Sequence, residues 1–80
     1  MNKKEFEALC NKQGYETREK KSTWIVYQAL IELNDDGIKT PISWECLRLN
    51  CQLGSVNTVK LAVQRLLTMN IINDQWELVE

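Results

Sequence analysis

Asn57, Lys60 and Gln64 recur at steps of three and four residues, the spacing that aligns side chains along one face of an α-helix. The chemistry they offer together is recognition of nucleobase edges. A carboxamide holds a donor and an acceptor side by side, which matches adenine, and a lysine ammonium donates to the acceptors of guanine. Ser55 and Thr58, at the start of such a helix, suit phosphate oxygens, helped by the free backbone amides there. Lys39, Arg48 and Arg65 add cations suited to a phosphate backbone.

Other chemistries find little support. The chain has no histidine, no glycine-rich phosphate loop and no nucleophile elbow. Its three cysteines, Cys10, Cys46 and Cys51, have neither a base to activate them nor the spacing of zinc ligands. The odd count argues against a closed disulfide framework, and each cysteine falls in an apolar helical pattern, where a reduced thiol acts as a small hydrophobe. Asp35-Asp36 reads as the end of a helix. The expectation is no catalytic residue, no metal, no cofactor and no enzyme.

Length, hydropathy and charge bound the answer further. Eighty residues make one small domain with a small core. No apolar run reaches the ~18 residues a membrane helix requires, and the N-terminus lacks the hydrophobic stretch of a signal peptide. The chain is therefore expected in the cytoplasm, off the membrane. The net charge of −1 divides unevenly. Residues 1–21 carry Lys3, Lys4, Lys12, Arg18, Lys20 and Lys21 against four glutamates, a local +2, and residues 22–80 carry −3. An interleaved +2 reads as a solvated surface rather than a phosphate-binding arm. A nucleic-acid binder usually shows a clearer basic excess.

The elements that would position the polar row follow from periodicity. A short helix is expected over 2–13, capped by Asn2 with Glu5 three residues on and stopped by Gly14. Tyr15–Lys21 reads as a linker or an early start to the next helix. A central helix is expected over 23–34, capped by Ser22 and ended at Asn34-Asp35-Asp36-Gly37. Pro41 forces Thr40 out of the helical region, so Ile38-Lys39-Thr40 is extended, with room for one short strand. Ser43 caps a helix over 44–52, with Leu47 and one of Cys46 or Cys51 pointing inward. Leu53-Gly54-Ser55 turns the chain, Gly54 supplying backbone freedom and Ser55 the next cap. The last helix covers 56–69, burying Val56, Val59, Ala62, Val63, Leu66 and Met69. Asn70 stops it. Ile71-Ile72, a two-residue turn at Asn73-Asp74 and the alternation over 75–79 predict a β-hairpin. Trp24 is assigned to the core, and Trp44 and Trp76 to its half-exposed edges.

Residues 53–80, LGSVNTVKLAVQRLLTMNIINDQWELVE, resemble the recognition half of bacterial and phage winged-helix DNA-binding domains. SVNTVKLAVQRL is similar to the recognition helix of GntR-type repressors. LLTMNII resembles the helix-to-wing junction of phage replication initiators, and ISWECLRLNCQL fits the first helix of the motif. The resemblance covers about residues 22–80. It implies a mainly α fold with a small β-hairpin, a winged helix-turn-helix preceded by a short N-terminal helix, with 1–21 as N-terminal helix and linker and 22–80 as the winged domain. It also implies that helix 56–69 lies in the major groove of double-stranded DNA, that Asn57, Lys60 and Gln64 read bases, and that the chain pairs as a homodimer on two half-sites. The −3 charge over 22–80 supports a different function on the same fold, a winged-helix module whose partner is another protein.

Overall fold

The computed structural model describes residues 1–79. The described residues fold as four helices: α1 (Lys3–Lys12), α2 (Thr17–Asp35), α3 (Trp44–Cys51) and α4 (Val56–Thr68). α2 is the hub, packed against each of the other three. The radius of gyration is 11.6 Å, about the ~12 Å of a single packed body of this length. α1 is therefore folded onto the rest rather than trailing from it.

The helix starts follow from local chemistry. Asn2 accepts from the Glu5 amide (2.8 Å) and the Glu5 carboxylate accepts from the Asn2 amide (3.2 Å), so both partners of a capping box are satisfied. Ser43 accepts from the Cys46 amide (3.1 Å) and Ser55 from the Thr58 amide (3.1 Å). The start of α2 differs from the sequence expectation. It begins at Thr17, where the Glu16 amide donates to the Glu19 carboxylate at 2.8 Å. Ser22 is not a cap. It lies inside the helix, and its hydroxyl donates back to the carbonyls of Arg18 and Glu19, the local bonding open to a mid-helix serine. Of the two alternatives for Tyr15–Lys21, a linker or an early start to the next helix, residues 17–21 follow the second, and the boundary at 21/22 falls inside a helix.

All four helices end alike. In each, an amide two residues past the last turn donates back over five residues: Tyr15 to Cys10, Ile38 to Leu33, Leu53 to Arg48 and Ile71 to Leu66. The residue before that amide is left-handed: Gly14 (φ +75°), Gly37 (φ +72°), Gln52 (φ 56°) and Asn70 (φ 60°). This is the Schellman arrangement, which satisfies carbonyls left over at a helix end. Gly14, Gly37 and Asn70 act as the sequence predicts. Between α3 and α4 it is Gln52, not Gly54, that takes the left-handed conformation.

The core is one cluster. α1 contributes Phe6 and Cys10; α2 Val26, Tyr27, Leu30 and Leu33; α3 Leu47 and Cys51; α4 Val59, Ala62, Val63 and Leu66. Each buried valine, leucine or phenylalanine adds roughly 1.5–3 kcal/mol, so α4, with three such residues, is held firmly by its inner face. Val56 and Met69, expected inside, are only half-buried. Phe6 meets Trp24 edge-on (5.0 Å between centroids) and stacks on Tyr27 (5.6 Å), fixing α1 to α2. Trp24 lies at the edge of this cluster, half-buried.

Of the expected β-hairpin, only a single bridged pair forms, with the Val79 amide donating to the Ile71 carbonyl beside it (2.9 Å). Among the described residues, Ile72 and Leu78 make one isolated antiparallel bridge. The turn is also wider than two residues. The Asn73 carboxamide oxygen accepts from the amides of Gln75 and Glu77, and the Asn73 amide donates to the Glu77 carbonyl at 2.9 Å. Trp76 adopts φ 59°, which breaks the strand alternation. Its side chain is buried, 5% exposed. The Asn34 carboxamide donates to the Trp76 carbonyl (3.2 Å), and the Thr40 hydroxyl donates to the Gln75 carbonyl. The segment from Ile71 to Val79 is thus a compact loop strapped to the end of α2. The strand expected at 38–40 is absent as well: the backbone there is non-regular, and Thr40 is buried.

Candidate nucleic-acid interface

α4 follows α3 after four residues, 52–55, the length of turn found in helix-turn-helix pairs. With Val59, Ala62, Val63 and Leu66 turned inward, helical geometry sends Asn57, Lys60 and Gln64 outward, and all three are exposed. The same arithmetic places Leu61 and Thr68 among them. Leu61 stands on the flank of this face nearest α2, 45% exposed. Neither residue figures in the sequence reading. The step of three and four that links 57, 60 and 64 reaches 61 and 68 equally, so the signal was present in the spacing.

Lys60 has a defined neighbour. Its Nζ lies 5.6 Å from the centroid of the Trp44 ring, a cation–π distance. Trp44 opens α3, is half-buried, and with Val63, Gln64 and Leu67 lines a shallow groove along this side of α4.

The other expected contacts are placed differently. Ser55 Oγ and Thr58 Oγ1 lie 2.9 Å apart, so both hydroxyls take part in the cap at the start of α4. Arg65 points to α2. Its Nη1 donates to Thr23 Oγ1 (3.2 Å), its Nη2 to Glu19 Oε2 (3.3 Å), and its guanidinium lies 5.7 Å from the Tyr15 ring centroid. Arg48 donates through Nε to Glu45 (3.1 Å) and through Nη1 to the Leu53 carbonyl (3.1 Å). The hydrogen bonds from Arg48 hold the Glu45 carboxyl below the usual carboxylate range. Lys39 is exposed and borders a cleft with Gln75 and Glu77, to which α4 contributes nothing. The fold therefore gathers Asn57, Lys60 and Gln64, turns Ser55 and Thr58 to the cap, gives Arg48 and Arg65 internal partners, and leaves Lys39 elsewhere.

α4 itself carries no acidic residue. Of the carboxylates on α2 and α3, Glu19 and Glu45 are each paired with an arginine, Arg65 and Arg48 respectively. Among the described residues no group of three or more potential metal ligands is assembled, and no helix is long and apolar enough to cross a membrane. Compared with protein-family models, curated proteins and solved structures, the chain matches none.

Proposed function

We propose that this chain is a helix-turn-helix DNA-binding module that presents the outward face of α4 to the major groove of double-stranded DNA. One observation carries the reading. Asn57, Lys60 and Gln64 stand exposed on one face of a helix free of acidic side chains, while Glu19 and Glu45 are neutralised by arginines. Base edges are then met by two carboxamides and one ammonium, the side chains whose donor and acceptor patterns fit adenine and guanine. Leu61 and Thr68 add methyl groups of the kind that pack on the thymine methyl. Because the 71–79 loop is folded onto α2 and α3, the reading needs no extended wing. Binding rests on α4 and on the α3–α4 turn.

The test is a fluorescence-anisotropy titration against double-stranded fragments flanking the gene, at two salt concentrations. Affinity is expected to fall steeply with salt. Lys60→Ala should flatten that dependence by roughly one unit of slope if the ammonium lies on phosphate, or cost about 1–3 kcal/mol on the preferred site alone if it lies on a base. Gln64→Ala and Asn57→Ala should each cost about 1–3 kcal/mol on that site only. A triple variant that binds as tightly as the parent would end the proposal.

Leu61 favours a second reading. Exposed beside the polar row, Leu61 offers a protein partner apolar area, and the net charge of −1 works against phosphate. In this reading α4 docks a protein partner. The chain then ignores DNA at low salt and retains a partner in a pull-down that Leu61→Asp abolishes.

A further inference from the structure

The outward side of α1 carries a pattern unrelated to α4. Glu5, Ala8, Leu9 and Lys12, with Met1, border one shallow surface depression. Ala8 and Met1 are exposed and Leu9 half-buried, so the floor of the depression is apolar. Its two ends carry opposite charges. Glu5 and Lys12 are seven residues apart, about 10 Å along the axis, too far to pair within the helix. No ion pair within the chain engages either of them among the described residues.

We propose that this face is a homodimer contact, covered by α1 of a second copy running antiparallel. The register of the helix supports this. A two-fold axis at the midpoint between Ala8 and Leu9 sets position 5 against position 12 of the copy, and position 8 against position 9. Each Glu5 then faces a Lys12, and each Ala8 faces a Leu9. A self-complementary patch of this sort is what a two-fold contact requires. Ala8, the smallest side chain on the face, sits beside the axis, where the backbones must approach most closely. The Glu5 carboxylate is already steadied by the Asn2 amide at 3.2 Å through Oε1, which leaves Oε2 for a partner. Antiparallel helices also bring opposite dipole ends together. A single ten-residue helix covers less than the ~800 Å² per partner of a stable complex, so the association is weak and concentration-dependent. The contact does not depend on what α4 binds.

Sedimentation velocity from about 10 μM to about 1 mM tests this, a range chosen because a small interface gives micromolar or weaker affinity. The parent is expected to shift from monomer to dimer across the series. Lys12→Glu sets like charges against each other twice in every dimer, because the axis repeats the change. It should raise the dissociation constant by at least about tenfold. Ala8→Arg, which leaves the cap and the charge pair in place, should abolish it by bulk, with circular dichroism confirming the helices. A parent monomeric at the highest concentration overturns the proposal, and so does a dimer that tolerates both Lys12→Glu and Ala8→Arg.

Discussion

Trp44 and Trp76 meet with ring centroids 5.0 Å apart and planes tilted by 49°. The pair joins the C-terminal loop to the first turn of α3. Lys60 lies over the Trp44 ring, so the same contact supports the outward face of α4. The loop that replaces a hairpin therefore braces the candidate interface from behind.

Trp76→Ala removes a side chain that is 5% exposed and leaves a cavity beneath Trp44. The expected cost is about 3–5 kcal/mol, a large share of the stability of a domain this small. Urea denaturation followed by far-ultraviolet circular dichroism measures it. A loss under about 1 kcal/mol would show that the loop is not an integral part of the core.

The α3–α4 turn offers two substitutions whose effects run against a reading of the sequence alone. Gln52 is left-handed at φ 56°, whereas Gly54 is outside that region and a Cβ placed on it meets nothing within 4 Å. Gln52→Gly should stabilise by about 1 kcal/mol through relief of the left-handed penalty. Gly54→Ala should be neutral or stabilise by up to about 1 kcal/mol by restricting the unfolded chain. Thermal melts of the two variants beside the parent decide the matter; a marked loss in Gly54→Ala contradicts the assignment.

Arg65 ties α4 to the first turns of α2 through Thr23 and Glu19. Arg65→Ala forfeits both hydrogen bonds and the packing of the aliphatic stem, at about 1–3 kcal/mol. Arg65→Lys should recover only part of this, because a single ammonium lacks the fork that reaches two partners. Amide exchange gives a sharper readout: in Arg65→Ala, the amides of Lys20, Lys21 and Ser22 should lose protection ahead of the rest of α2.

Burial pushes the Cys51 thiol up to about 11 and raises Cys10 and Tyr27 in the same direction. These groups hold their protons longer in the folded chain than in the unfolded one. The stability they contribute is intact below the ordinary thiol value of 9.0 and is lost as pH climbs from there through the folded values. Denaturation midpoints should fall across that alkaline window and stay flat from neutral pH up to it. Cys51→Ala should make the fall shallower. An unchanged slope in that variant would remove Cys51 as a cause.

Local chemistry sets the helices and most of their ends. Asn2 with Glu5, Ser43 and Ser55 as starts, and Gly14, Gly37 and Asn70 as stops, act on backbone groups within a few residues of themselves, so their effect is legible without a fold. The inner face of α4 was equally legible, because burial imposes the helical period on Val59, Ala62, Val63 and Leu66, and the outward row of Asn57, Lys60 and Gln64 follows by exclusion. Contacts between distant residues set the rest. Residues 17–22 are helical in a setting where Arg65 and Asn11 hold Glu19 and Lys20, partners remote in sequence. Their residue type suits Arg48 and Arg65 to a phosphate backbone, yet their reach lets the fold use them internally. The C-terminal segment alternates like a strand, but burying Trp76 against Trp44 and bonding Asn34 and Thr40 to the carbonyls of the loop outweighed local strand preference. Pairing propensity in a two-stranded hairpin is weak, and a large buried aromatic ring set the path of the chain instead.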